Sequence, residues 1–130
     1  MIVVDASALI EVLLGTPVAG RLTERLFAVG ETLHAPHLLD VEVAQVFRRY
    51  ALARMIEAER GAEALEDLAD FPITRYPHQP FLPRIWELRR NVTAYDAAYL
   101  ALAEALDAPL LTRDAKLASS AGHRTRIELV

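Results

Sequence analysis

The chain has 130 residues, 53% hydrophobic and 25% charged, which is the size and composition of one globular domain with its own core. It contains no cysteine, which excludes a disulfide framework, a thiolate metal site and a cysteine nucleophile. The formal net charge of -4 argues against a nonspecific nucleic-acid-binding module, because such modules normally carry a basic surface.

Short apolar segments alternate with amphipathic helical segments along the chain. The first is an apolar strand, Gly15 ends the helix that follows it, and Pro17 opens the next helix. The predicted strands are 2–5, 32–35, 73–76, 109–112 and 126–129. Besides the helix that Pro17 opens, the predicted helices are 7–14, 40–53, 56–70, 80–90, 94–106 and 114–120. This alternation is typical of an α/β fold with a mainly parallel sheet. No repeat or linker interrupts it, so we predict a single domain over residues 1–130.

The N-terminus lacks the features of a targeting segment. No basic residues lead it, and Asp5 and Glu11 interrupt its apolar run. No apolar stretch approaches the length needed to span a membrane. The sequence therefore predicts a cytoplasmic protein with no membrane partner.

Four acids occupy positions from which they can converge. Asp5 and Asp114 each follow a predicted strand, and Glu42 and Asp96 each fall in the predicted first turn of a helix. In parallel sheets, sites form beyond the carboxyl ends of the strands, so the acids meet if both helices start at that edge. Carboxylates without basic partners repel one another unless a cation neutralises them, and oxygen ligands suit Mg²⁺ or Mn²⁺. This pattern predicts metal-assisted phosphodiester hydrolysis.

Each acid also has a structural interpretation. Asp96 follows Thr93 at the spacing of a capping box, and the helix dipole favours any acid in a first turn. Asp114 and Asp40 are suited to be N-caps of the helices that follow them. Asp5 is harder to explain in this way, because a charge at the end of a buried strand is costly to desolvate. The joint pattern favours a metal site for the four acids and leaves Asp40 as a cap.

The segments around the four acids resemble those of PIN-domain ribonucleases, specifically the VapC toxins of bacterial and archaeal toxin–antitoxin pairs. The resemblance is carried by Val3-Val4-Asp5-Ala6-Ser7-Ala8-Leu9, Ala35-Pro36-His37-Leu38-Leu39-Asp40-Val41-Glu42-Val43, Thr93-Ala94-Tyr95-Asp96-Ala97-Ala98-Tyr99-Leu100-Ala101-Leu102-Ala103 and Leu110-Leu111-Thr112-Arg113-Asp114. It implies a three-layer PIN-like fold and an Mg²⁺-dependent endoribonuclease in which Mn²⁺ can substitute. Asp5 and Asp96 would anchor the principal metal, while Glu42 and Asp114 would complete the cluster, partly through water.

The resemblance also implies partners. A small VapB-like antitoxin would hold the toxin inactive, and the substrate would be a structured RNA such as tRNA or rRNA. The antitoxin tail would bury apolar side chains near Val46, Tyr50 and the 56–70 helix and bring an arginine or lysine to the acids. Abundant apolar helical residues, together with the resemblance, favour a homodimer.

Several further side chains are candidates for supporting roles. In PIN domains, positions similar to Ser7 and Thr112 support the acids by hydrogen bonds; the alternatives are a helix cap and an ordinary strand residue. Arg49 is placed to bind a phosphate or, as we favour, to pair with a carboxylate. We predict that Trp86 and Tyr95 are packing residues.

Two other classes of function fit parts of the pattern. Asp5 could be the nucleophile of an aspartyl-phosphate phosphotransferase or phosphatase, but dehalogenase-like enzymes need a second aspartate where Ser7 stands, and Lys116 is unconvincingly spaced as their basic residue. A non-catalytic interaction module would use the acids only structurally and would bind Mn²⁺ no better than a chain without them. The acid motif by itself does not distinguish RNA from DNA.

Overall fold

The computed structural model describes all 130 residues and has the α/β composition that the sequence predicts. Its five strands are separated by seven helices, two after each of the first three strands and one after the fourth. The strands are β1 (Ile2–Val4), β2 (Leu33–Pro36), β3 (Ile73–Tyr76), β4 (Leu110–Thr112) and β5 (Ile127–Leu129). The helices are α1 (Ala6–Leu14), α2 (Ala19–Leu26), α3 (Leu38–Leu52), α4 (Ala58–Asp70), α5 (Leu82–Glu87), α6 (Ala94–Leu106) and α7 (Ala115–Ala118), with a 3-10 helix at Gln79–Phe81 before α5. None of the helices combines the length and apolar character required to cross a membrane.

The strands form one parallel sheet in the order β3-β2-β1-β4-β5. The central strand β1 consists of Ile2, Val3 and Val4, and none of these residues is exposed, as expected for a strand covered on both faces. The chain builds outward from β1 to β2 and β3 on one side and then to β4 and β5 on the other. The strand order therefore reverses between β1 and β4, and such a reversal leaves a crevice beyond the carboxyl ends of the two strands.

Helix α6 provides much of the packing around this crevice. It contacts β1, β2 and β4, and its residues 97–103 are all buried. Four of these residues are alanines, whose small side chains let the helix backbone approach the sheet closely. Burial of this segment holds the N-terminus of α6, which carries Asp96, beside β1 and β4.

Two of the differences between the predicted and the observed helices have a local backbone cause. The second helix begins at Ala19 instead of Pro17, since Thr16 to Ala19 form a hydrogen-bonded turn. The helix predicted for 80–90 is confined to α5, preceded by the 3-10 helix. Pro80 and Pro83 lack backbone N–H groups, so each is accommodated only in the first turn of a short helix.

Candidate active site

Asp5 lies directly after β1, in the crevice, and two hydroxyls hold its carboxylate. Its Oδ2 accepts hydrogen bonds from Ser7 Oγ at 2.6 Å and from Thr112 Oγ1 at 2.7 Å. The backbone of Asp5 occupies the N-cap position of α1, but its side chain does not cap the helix. Ser7 lies inside α1 and bonds to the acid, so the alternative in which Ser7 is a helix cap is wrong. Asp5 is buried, with 7% of the residue exposed, and its Oδ1 accepts no hydrogen bond from the chain.

The same two hydroxyls also fix the segment that leads to Asp114. Ser7 Oγ accepts from the backbone N–H of Arg113 at 3.0 Å, and Thr112 Oγ1 accepts from that of Asp114 at 3.0 Å. Thr112 is fully buried at the end of β4. Each hydroxyl thus donates to Asp5 and accepts from the chain after β4, which couples the positions of the two acids.

Asp96 and Asp114 occupy the helix starts that the sequence predicts. Asp114 is the N-cap of α7, and its Oδ1 accepts from the backbone N–H groups of Lys116 at 2.9 Å and Leu117 at 3.2 Å. Asp96 lies in the first turn of α6, where the Thr93 hydroxyl accepts from its backbone N–H at 3.2 Å. Capping leaves carboxylate oxygens of both acids available to the crevice.

Glu42 reaches the crevice from α3, and its placement corrects two predictions. Since α3 begins at Leu38, Glu42 lies in the second turn instead of the first, and Asp40 is not an N-cap. Asp40 instead accepts from Arg75 Nε at 2.8 Å, an ion pair outside the crevice. The second-turn position directs Glu42 toward the buried Tyr99, whose hydroxyl donates to its Oε1 at 2.7 Å.

Tyr99 is a site residue that the sequence analysis did not identify. It is fully buried in α6, one turn after Asp96, and this spacing places both side chains on one face of the helix. The Asp96-x-x-Tyr99 spacing was therefore the available signal. Nothing local in the sequence predicts the contact with Glu42, which joins residues 57 positions apart.

Burial and mutual repulsion raise the pKa values of two of the acids. The pKa of Glu42 is raised mainly by desolvation and further by the charges of Asp5 and Asp96, while the bond from Tyr99 opposes the shift. The pKa of Asp96 is raised by desolvation and then by Asp5 and Asp114. Each of the four carboxylates therefore lies within electrostatic reach of at least one other.

One cavity of about 540 Å³ is lined by all four acids. None of the four forms an ion pair, although Arg25, Arg75 and Arg84 are paired with acids elsewhere in the protein. No three of the acids are gathered closely enough to hold a metal ion in this conformation. Repulsion among unneutralised carboxylates opposes their closer approach, and an oxygen-only donor set that forms no ion pair fits a divalent cation of the Mg²⁺ or Mn²⁺ type.

The fold agrees with comparisons to known proteins. The profile of the PIN domain matches residues 2–122. The chain belongs to the PIN-domain family. Ribonuclease VapC12 of Mycobacterium tuberculosis is 43% identical over 130 residues, which cover 100% of this chain and 99% of that relative. The resemblance to VapC proteins is thereby confirmed.

Solved structures show the same PIN fold. PAE2754 from Pyrobaculum aerophilum superposes with a TM-score of 0.70 at 23% identity, covering 97% of this chain and 81% of that chain. VapBC2 from Rickettsia felis, solved bound to a DNA fragment from their promoter, gives a TM-score of 0.68 at 13% identity and covers 99% of this chain and 98% of that chain. The predicted three-layer PIN-like architecture is confirmed.

Three other predicted roles are corrected in this PIN domain. Arg49 lines the acid cavity and forms no ion pair, contrary to the favoured pairing with a carboxylate. Trp86 is 68% exposed and Tyr95 is 66% exposed, so neither is a packing residue. Tyr95 lines the acid cavity, and the Arg89 guanidinium lies 4.8 Å from the centroid of the Trp86 ring.

Proposed function

We propose that this VapC-family chain is a metal-dependent endoribonuclease and the toxic component of a type II toxin–antitoxin system. The observation that carries the proposal is that four carboxylates from four separate elements line one cavity and none of them forms an ion pair. The name of the 43% identical relative, Ribonuclease VapC12, supports RNA as the substrate. We assign this chain to the toxins that act on structured RNA, such as tRNA or rRNA.

In this proposal, Asp5 and Asp96 hold the principal Mg²⁺, and Glu42 and Asp114 complete the cluster, partly through water. When bound, the ion supplies the Lewis acidity that makes a water nucleophilic near neutral pH and stabilises negative charge on the phosphate. Mn²⁺ can take the place of Mg²⁺ because both prefer oxygen ligands.

The residues around the acids prepare them for this role. Ser7 and Thr112 hold Oδ2 of Asp5, which fixes the rotation of the carboxylate and leaves Oδ1 as its free ligand atom. Tyr99 orients Glu42 in the same way through Oε1. Since the hydroxyls donate to charged oxygens, they stabilise the ionised acids that a metal needs.

The surface beside the acids fits the proposed antitoxin. Apolar side chains, among them Val41 and Tyr95, line the same cavity as the acids and are exposed. A flexible tail could bury its own apolar residues there while a basic residue meets the carboxylates and competes with the metal. Ordering such a tail costs about 2–5 kcal/mol, which apolar burial must exceed. We further propose a homodimer acting in the cytoplasm.

Substitution of one acid tests the function directly. Asp5→Asn keeps the shape of the side chain and removes the charge, so we expect loss of Mg²⁺-dependent RNA cleavage and weaker Mn²⁺ binding by calorimetry. Asp67→Asn is the matched control, because Asp67 is an exposed acid on α4 outside the cavity. Expression of the natural chain alone should stop growth, and Asp5→Asn should restore it. Full cleavage by Asp5→Asn protein, purified free of wild type, would refute the proposal.

A further inference from the structure

A second cavity, of about 550 Å³, adjoins the acid-lined one and shares Asp96 and Asp114 with it. Its other walls come from the turn at residues 89–93, which precedes α6, and from the first turn of α7 with Lys116. We propose that this cavity, here called the cationic cavity, binds the RNA backbone phosphate next to the one that is cleaved. The inference rests on the ribonuclease function proposed above and adds a binding subsite to it.

The cationic side chains of this cavity are available to a ligand. Arg90 and Lys116 are exposed, and neither side chain forms an ion pair or a hydrogen bond within the chain. Arg89, the third cation, rests against Trp86 and donates only to a backbone carbonyl. By contrast, Arg84 on the preceding helix is fully engaged with acids of the protein.

The composition of the cavity favours a phosphate over an apolar anchor. Only two of its ten lining residues are hydrophobic, and Asn91, Thr93 and Ser120 add neutral polar groups. Arginine binds phosphate through paired N–H donors, and lysine binds it as a compact charge. The acid cavity is different, since apolar side chains border it. The acid cavity is therefore better suited to bind a protein segment, and the cationic cavity is better suited to bind a nucleic-acid strand.

The turn that carries Arg90 is held in place before any ligand binds. The backbone N–H of Asn91 donates to the carbonyl of Leu88 at 2.9 Å, and Leu88 is buried in the core. Gly122 packs so closely on the Asn91 side chain that an added Cβ would lie 2.8 Å from its Oδ1, and the φ of Gly122 is +89°. A fixed turn binds a ligand with a smaller loss of entropy than a mobile one.

The shared wall explains why the subsite would sit next to the cleaved bond. A strand that places one phosphate at the acids meets Asp96 and Asp114 on its way into the cationic cavity. The neighbouring phosphate then reaches Arg90 and Lys116. Their charges offset the repulsion between the RNA backbone and the four carboxylates, which would otherwise oppose binding.

The test compares single charge removals at matched sites. Arg90→Gln and Lys116→Gln are compared with a control, Arg126→Gln. Arg126 is exposed, forms no ion pair and precedes β5, so it lies at the amino ends of the strands, whereas the acids lie beyond the carboxyl ends. The probe is a short fluorescein-labelled single-stranded RNA, with binding followed by anisotropy in EDTA over a range of salt. We expect Arg90→Gln and Lys116→Gln each to raise Kd about fivefold, the size of one lost hydrogen bond, and to lower the salt slope by about 0.7. Arg126→Gln should change neither quantity.

Two further measurements separate the possible failures. In Mg²⁺-dependent cleavage, Arg90→Gln should raise KM and leave kcat unchanged, while Mn²⁺ affinity is not lowered in any variant. If the natural chain cleaves RNA and binds Mn²⁺, but Arg90→Gln and Lys116→Gln match Arg126→Gln, this inference alone is refuted. If the natural chain does neither, the proposed function fails. If Arg90→Gln and Lys116→Gln weaken binding to poly-glutamate but leave RNA binding unchanged, the cavity is a protein-binding site and the inference is also overturned.

Discussion

Replacing Thr112 by valine preserves the shape of a fully buried side chain and removes the hydroxyl that joins β4 to Asp5. The lost bond to an ionised carboxylate is worth about 1.5–3 kcal/mol. The backbone N–H of Asp114 also loses its acceptor, at a further cost of about 1 kcal/mol. We therefore expect the free energy of unfolding to fall by about 3 kcal/mol. Thr112→Ser keeps both bonds and loses one buried methyl group, which costs about 1 kcal/mol.

Urea denaturation at neutral pH in EDTA measures this difference. Far-ultraviolet circular dichroism is the suitable signal, because the single tryptophan, Trp86, is exposed in the native state and reports poorly on unfolding. The dependence of stability on urea concentration should be the same in both variants, since neither changes the surface exposed on unfolding appreciably. A valine variant at least as stable as the serine variant would refute the account of Thr112 as a buried donor to Asp5.

Four further outcomes follow from the site and the proposed assembly. Because the pKa of Asp96 is raised in the folded state, its ionisation opposes folding; Asp96→Asn should raise the free energy of unfolding in EDTA at pH 7, and urea titrations should show this gain vanish below about pH 4. Tyr99→Phe removes the bond that opposes the shift of Glu42, so carbon NMR should show the Glu42 carboxyl titrating at higher pH than in the natural chain, and an unchanged midpoint would contradict this. Calorimetry should show that Mn²⁺ affinity falls as the pH is lowered through the raised pKa values of Glu42 and Asp96, because both carboxyls must be ionised to bind the ion. An affinity that does not change with pH would exclude them as ligands. Light scattering at micromolar concentration should give twice the 14.4 kDa monomer mass, and a monomer would contradict the homodimer.

The parts of the site that the sequence predicts are those set by local geometry. Asp5 and Asp114 follow parallel strands, and the ends of parallel strands share an edge whatever the details of packing. The pair of Thr93 and Asp96 marks a helix start over four residues. Each of these placements depends on a short segment, so the pattern of residue types is sufficient to predict it.

The remaining contacts depend on tertiary packing. The bond between Tyr99 and Glu42 requires α3 and α6 to meet, and no local pattern reports that meeting. The extension of α3 to Leu38, which moved Asp40 out of the cap position, depends on how β2 leads into the helix. The prediction that Trp86 and Tyr95 are packing residues failed because the sequence alone does not show whether the fold buries an aromatic residue or leaves it exposed.

The pairing of β1 with β4 has a consequence for how the protein is made. Asp5 obtains one of its two hydroxyl partners from a residue 107 positions later in the chain, and the crevice has no second wall until β4 pairs with β1. A ribosome must therefore release almost the whole chain before the four acids can share one cavity. If this protein is a toxin, the cell that makes it is protected from the growing polypeptide, and only the finished molecule needs an inhibitor.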